Sequence, residues 1–406
     1  MSLIRASLLA SACIVVFALS ACTTTQPEKL LPPAPATVPA PPAPVATPAD
    51  ILRPSSFAAM PGWGRDDLRE AWQPFLASCS VLLKKSEWKE PCTVALDVNA
   101  HDGKAIRAFF EAFFLPHQVF NPDGSEQGLV TGYYEPLLRG ARKRGGPYQT
   151  PLYRTPDDLL SIDLTAVYPE LKGMRLRGRL VGNKVLPYLS RAELTQSNAL
   201  SGKELLWVDD SIEAFFLQVQ GSGRVQLADS KETVRVAYAD QNGYPYKSIG
   251  RYLVDKGELT LEQASAQSIK AWAAAHPARE QELLNANSSY VFFKEEKLAD
   301  PSQGPKGSLG VPLTPQRSIA VDTQFIPLGV PVYLATTQPN SSVELQRLML
   351  AQDTGGAIRN AVRADYFWGF GAEAQDKAGK MKQRAMLWVL LPREPTQRCP
   401  CAMPIQ

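Results

Sequence analysis

The chain has 406 residues, a formal net charge of +3, and 45% hydrophobic and 20% charged residues, an ordinary globular composition long enough for two domains. So small a positive excess, with no dense basic run, argues against a nucleic-acid partner. His101, His117 and His276 are scattered without ligand spacing, so no metal site and no cofactor is expected.

The first residues carry Arg5 and then the apolar run from Ile14 to Leu19. That run is too short to span a bilayer as a mature helix, but it suits the core of a secretory signal. Leu19-Ser20-Ala21-Cys22 follows and resembles a bacterial lipobox, in which the cysteine becomes the lipidated first residue. The competing reading is a buried cysteine in a core helix. Thr23 stands where an Asp would signal retention at the inner membrane. Residues 1–21 are therefore expected to be a lipoprotein signal peptide and Cys22 the lipid site. The mature protein would sit on the outer membrane of a Gram-negative bacterium and face the periplasm.

From Pro27 to Pro54 the chain is mostly Pro, Ala, Thr and Val, with too little to bury for a core. Residues 22–56 are expected as an extended linker. Its reach is at most roughly 90 Å at about 3.1 Å per residue, enough to tether a domain to a polymer away from the membrane, or else it is a passive spacer. Of the cysteines left in the exported body, Cys79 and Cys92 are candidates for a disulfide closing a short loop. Cys399-Pro400-Cys401, in a tail at 395–406, has no assigned role.

Leu68, Trp72, Phe75, Leu76, Cys79, Leu82 and Leu83 recur at helical spacing, predicting an amphipathic helix over 66–84. Phe109, Phe110, Phe113 and Phe114 predict another over 103–115, stopped by Pro116. A third is predicted over 260–276 with Thr260 as cap, and Pro277 can open a short helix after it. Such aromatic stripes are read as core. Short strands are predicted at 127–134, 204–208, 214–220, 233–239, 318–321, 330–335, 345–351 and 386–391. Strands this short and this often interrupted suit barrels better than a doubly wound parallel sheet. Gly221-Ser222-Gly223 is followed by strand-like Val225-Gln226-Leu227, so it lacks the helix that a dinucleotide site requires.

No Gly-x-Ser-x-Gly elbow is present, and carboxylates are left as the chemistry. The densest polar cluster is Asp353-Thr354-Gly355-Gly356-Ala357-Ile358-Arg359, followed by Asp365-Tyr366-Phe367-Trp368. An Asp capping a glycine turn through backbone N–H groups is held ionised, with its pKa lowered, and makes a poor acid. An Asp among aromatics is desolvated toward its neutral form, as proton donation to a glycosidic oxygen requires. Asp365 is the better acid by this argument; the alternative is that both are turn residues.

Ser318-Ile319-Ala320-Val321-Asp322, Ile326-Pro327-Leu328-Gly329, Asp353-Thr354-Gly355-Gly356-Ala357-Ile358 and Asp365 together resemble the three-aspartate barrel of the membrane-bound lytic murein transglycosylase A family. Thr131-Gly132-Tyr133-Tyr134-Glu135-Pro136, Gln218-Val219-Gln220-Gly221-Ser222-Gly223-Arg224 and Gln241-Asn242-Gly243 agree in the same order, over roughly residues 57 to 392. One departure is Asn360, where the family usually has Gly; Asn tolerates left-handed angles better than most residues.

The resemblance implies a mainly β fold with some α. A double-psi β-barrel domain would be built from 57–136 and 300–394, with a second β-barrel-like domain inserted at 137–299 and a groove between them. It implies a peptidoglycan lytic exotransglycosylase, a lyase that cleaves the β-1,4 bond between N-acetylmuramic acid and N-acetylglucosamine and leaves a 1,6-anhydro end. Asp365 would act as acid and then base. Asp353 and Asp322 would hold the loops and bias its ionisation, and Tyr133, Tyr134, Gln220, Ser222 and Gly223 would contact saccharide. The expected partners are glycan strands and, through the lipid anchor, the membrane. Two rival readings are a murein-binding lipoprotein without catalysis and a glycoside hydrolase using Glu135 or Asp240 to activate water.

Overall fold

The structure, a computed structural model, describes residues 51–171, 174–298 and 300–394. The expected signal peptide, Cys22, nearly all of the linker, and the tail with Cys399 and Cys401 lie outside the described residues. Among the described residues no helix is long and apolar enough to cross a membrane.

The strands in chain order begin with β1 (Leu52–Pro54), β2 (Phe114–Val119) and β3 (Gly128–Glu135). Next come β4 (Leu137–Ala141), β5 (Thr150–Tyr153), β6 (Leu160–Ser161), β7 (Arg177–Val181), β8 (Lys184–Pro187), β9 (Glu204–Val208), β10 (Ser222–Leu227), β11 (Thr233–Gln241) and β12 (Val291–Glu296). Last are β13 (Ser318–Val321), β14 (Pro331–Thr337), β15 (Glu344–Asp353), β16 (Arg363–Phe370) and β17 (Lys382–Pro392). The first and last groups share one sheet in the order β1-β2-β17-β14-β15-β13-β16-β3, and a further β17–β3 pairing closes six of its strands into a ring. Closure removes the exposed edges of those six strands. The middle group forms a six-stranded sheet, β12-β11-β10-β4-β9-β5, and a small sheet, β6-β7-β8. The chain is thus mainly β with helices packed around it, as the strand texture and the resemblance lead one to expect.

The helix expected over 66–84 is Arg69–Leu82, and the one over 103–115 is Gly103–Phe113, capped by Asp102 accepting from the Lys104 and Ala105 N–H groups. Their facing aromatics Trp72, Phe75, Phe109 and Phe110, with Phe114 at the start of β2, pair edge-on at 5.1–5.9 Å in the main core. The Cys79 and Cys92 sulfurs are bonded, across a sequence separation of 13, tying that helix to Ser86–Val94; loop closure of this size is worth roughly 3 kcal/mol. Arg317, buried, donates to Asp66 at 2.8 and 2.9 Å and to Glu70 at 2.9 Å, fastening the same helical layer to the start of β13.

Three expectations give way. Residues 214–220 are not a strand but the second half of the helix Ser211–Gln220. Asp210 accepts from the Ile212 and Glu213 N–H groups, and Gly221 closes the far end at φ 83°; these local caps satisfy orphan backbone groups that a short apolar run does not reveal. The third helix starts at Ala266 with Ser265 as cap, because Thr260 spends its hydroxyl on the Gln263 N–H within a separate turn. Leu52–Pro54, assigned to the linker by composition, pairs with β2 as an edge strand, a position that tolerates proline.

Candidate active site

Four neighbouring strands of the ring bring one row of residues together. Ala320 on β13 pairs with Asp353 on β15 and with Asp365 on β16, and Asp365 pairs in turn with Thr131 on β3. Residues directly opposite one another share a face of a sheet, and strands lie about 4.8 Å apart, so the two aspartates flank a single methyl group. The row depends on a bulge. Ile319 pairs with Ala351 but Ala320 with Asp353, which skips Gln352 and turns its fully buried side chain inward to Ser318, Ser78 and the Pro74 carbonyl. Without that extra residue Asp353 would point to the opposite face.

Thr131 Oγ1 donates to Asp365 Oδ1 at 2.6 Å, and Arg363 Nη2 donates to Thr131 Oγ1 at 2.9 Å. Among the described residues nothing donates to Asp365 Oδ2. Asp365 keeps some accessible surface, yet its carboxyl is enclosed enough that burial pushes its pKa up; Arg363 and the Thr131 bond oppose this, and the Asp353 charge adds to it. One oxygen is therefore fixed and the other is available to hold and release a proton.

Asp353 sits in a nest of donors. Ser308 supplies its N–H and its hydroxyl to Oδ1, both at 2.9 Å, and Tyr133 OH donates to Oδ2 at 3.1 Å. Backbone N–H groups do reach it as expected, but from Ser308 and Thr354 rather than from the glycines of the turn, and the direction of its pKa is also not the expected one. Burial is the largest cause and raises it, outweighing the backbone bonds from Thr354 and Ser308 and the side-chain bonds from Ser308 and Tyr133. Its contacts suit a carboxylate, and burial resists one. Asp322 is buried at the base of the same loop, accepting from the Gln324 N–H at 3.2 Å and the Asn360 N–H at 3.0 Å. Asn360 has φ 100°, the left-handed region where the family favours glycine. Asp322 shapes the loop; it is not among the groups that shift Asp365.

Tyr133 joins the aspartates: its ring packs on Phe367 at 5.1 Å in a small cluster with Leu313, Ala320 and Ile358, and burial raises its hydroxyl pKa well above the usual value. Tyr134, one residue on, faces the main core, and its N–H donates to Gln220 Oε1 at 3.0 Å. Ser222 is half-buried on β10. Gly223 is buried, and a Cβ there would lie 2.4 Å from Leu217 Cδ1, so it permits packing and offers no side chain to a ligand. The rival bases are both engaged. Glu135 is held by Arg235 Nε at 2.6 Å and Arg224 Nε at 2.8 Å, and Asp240 by Arg177 Nε at 2.9 Å.

Sequence reasoning missed Ser308, Arg363 and the role of Thr131. Thr131 lies in the Thr-Gly-Tyr-Tyr block but carries no signal of its own, and Ser308 comes from a loop remote in sequence.

Residues 129–294 match the family described as the MltA specific insert domain, and residues 317–391 the 3D domain. The membrane-bound lytic murein transglycosylase A of Escherichia coli K12 is 36% identical over 281 residues, 67% of this chain and 68% of that protein. The crystal structure of E. coli MltA with bound chitohexaose matches at 29% identity, covering 80% of this chain and 90% of that one, TM-score 0.61. MltA from Neisseria gonorrhoeae is 38% identical, covering 89% and 98%, TM-score 0.73. The lytic transglycosylase LtgG of Burkholderia pseudomallei is 48% identical, covering 84% and 96%, TM-score 0.57.

Proposed function

On the premise that this chain belongs to the membrane-bound lytic murein transglycosylase A family, we propose that it cleaves peptidoglycan glycan strands by intramolecular transglycosylation with Asp365 as the single acid and base. The observation that carries this reading is the enclosed Asp365 carboxyl, with Oδ1 fixed by Thr131 and Oδ2 open. Protonated Oδ2 gives its proton to the leaving glycosidic oxygen as the bond to the muramoyl C1 breaks. The resulting carboxylate takes the proton of the muramoyl 6-hydroxyl as that oxygen bonds to C1. The proton lost in the first step returns in the second, and no water is consumed. Glycosidases that spend water need a second carboxyl at a set separation. Here Asp353 is surrounded by donors, and Glu135 and Asp240 are paired with arginines, which speaks against a hydrolase.

Sheet membership supports reading 57–136 with 300–394 as one domain, with its ring as the family's double-psi barrel, and 137–299 as an insertion. The binding of chitohexaose by a relative supports a glycan partner. Mass spectrometry of muropeptides released from purified sacculi tests the reaction. The expected products carry anhydromuramoyl ends, lighter by one water than reducing ends. Reducing ends would point to hydrolysis, and binding without release to a non-catalytic lipoprotein.

The outer-membrane location rests on the lipobox at Cys22 and on Thr23. Cys22→Ser is expected to move the protein from the membrane fraction to the soluble periplasm in cell fractionation. Unchanged sedimentation with membranes would refute the anchor.

A further inference from the structure

Arg175 stands between β6 and β7, in the small sheet of the inserted region, and reaches the loop that carries Asp353. Its Nη2 lies 3.5 Å from Thr354 Oγ1, and its Nη1 lies 3.3 Å from Tyr238 OH on β11. The guanidinium sits 5.5 Å from the Tyr238 ring centre. Thr354 follows Asp353 directly, and its hydroxyl is 2.7 Å from that of Ser308, which itself donates to Asp353. Both polar partners of Arg175 are neutral hydroxyls at long range, and among the described residues it forms no salt bridge. Arg177, two residues on, contrasts with it: that guanidinium is neutralised by Asp240 at 2.9 Å. Among the described residues Arg359, on the same loop as Thr354, is likewise bonded only to carbonyls, those of Gly355 and Ile358.

An exposed guanidinium held by two long neutral bonds keeps a planar fork of donors that matches a carboxylate in bidentate fashion. The sugar rings of the glycan are uncharged; its anionic groups sit on the lactyl branch of each muramoyl residue, either as a free lactyl carboxylate or on the peptide joined there. The muramoyl residue whose C1 bond Asp365 breaks must lie over the Asp353–Asp365 row. We propose that Arg175 is a subsite for a carboxylate carried on the muramoyl lactyl branch, so that the site distinguishes muramoyl glycan from neutral chitin-like glycan. This deepens the transglycosylase reading and rests on it.

The test measures binding in the Asp365→Asn protein, which cannot turn over, with and without Arg175→Gln or Arg175→Lys. Three soluble ligands of similar length serve as probes: a muramoyl-glucosaminyl oligomer bearing its peptides, the same oligomer stripped to free lactyl carboxylates, and chitohexaose. Arg175→Gln is expected to weaken muramoyl-ligand binding roughly tenfold, the size of one lost charge-assisted contact, and to leave chitohexaose unchanged. Arg175→Lys is expected to retain part of the affinity. Loss confined to the peptide-bearing ligand assigns the carboxylate to the peptide, loss confined to the stripped ligand assigns it to the free lactyl group, and loss on both shows that the guanidinium takes either carboxylate. Equal weakening of all three ligands, or of none, overturns the proposal. If the unsubstituted chain forms no anhydro ends from sacculi, the reading beneath the proposal falls, and the proposal with it.

Discussion

Asp365→Asn is expected to fold normally, to retain glycan binding, and to lose anhydromuropeptide formation by at least the 10²- to 10⁴-fold typical of general acid–base catalysis. Asn keeps the size of the side chain and can still accept the Thr131 hydroxyl bond at 2.6 Å, but it has no proton to give to a leaving oxygen and no charge with which to recover one. The loss should appear in kcat with little change in KM, because the group acts on the transition state. Near-normal yield from a folded variant would move the acid elsewhere, first to Asp353.

Stability should move the other way. Burial raises the Asp365 pKa above that of the unfolded chain, so between the two values the native state binds the proton more tightly and stability falls as pH rises through that window. Above it the folded protein carries the cost of an enclosed carboxylate, which Asn removes. Asp365→Asn should therefore match the wild type in thermal midpoint below that window and exceed it above. Catalysis needs the protonated form, so wild-type activity should fall with rising pH through the same raised pKa. Asp353 adds to that rise through its charge. Asp353→Asn should shift the activity profile to lower pH as well as loosen the loop, since Ser308 and Tyr133 lose a charged acceptor.

Asp365 was legible in the sequence because motif and chemistry agree there, a carboxyl among aromatics being desolvated, whereas Asp353 was marked by the motif while its main donors, Ser308 and Tyr133, lie far from it in the chain. The sign of the Asp353 shift was not legible. It depends on how much chain folds over the carboxyl, including Ser308 from a loop 45 residues away, and local sequence does not carry that depth of burial. Nor was the bulge at Gln352 readable, because the strand Leu345–Ala351 was visible while its pairing partner was not. The helix Ser211–Gln220 shows the opposite case, since its cap signals Asp210 and Gly221 stand in the local sequence while the short apolar run between them suits a strand equally well. Gly223, in a block expected to face saccharide, owes its identity to Leu217 and Pro136 packed against it.

Glu135→Ala is expected to destabilise the protein by roughly 3–5 kcal/mol, the cost of leaving buried charges without their counterion. The carboxylate is almost wholly enclosed at the end of β3 and accepts from Arg224 on β10 and Arg235 on β11, so one residue of the ring holds two strands of the six-stranded sheet. The same guanidiniums donate to the Pro301 carbonyl at 2.7 Å and the Gln303 carbonyl at 2.6 Å, where the chain returns toward the barrel and the Ser308 loop. Removing Glu135 leaves two buried arginines repelling each other where the six-stranded sheet meets the ring. Urea unfolding should show a lower midpoint, and activity should fall even where the protein remains folded, because the Ser308 loop loses its anchor. Glu135→Gln, which keeps shape and hydrogen bonding but not charge, should fall between. If Glu135 were instead a water-activating base, Glu135→Gln would abolish turnover even in protein that remains folded, whereas the loss of turnover without a lowered midpoint is expected here of Asp365→Asn alone. Measuring both variants for midpoint and anhydromuropeptide yield assigns one carboxylate to holding the fold and the other to the reaction.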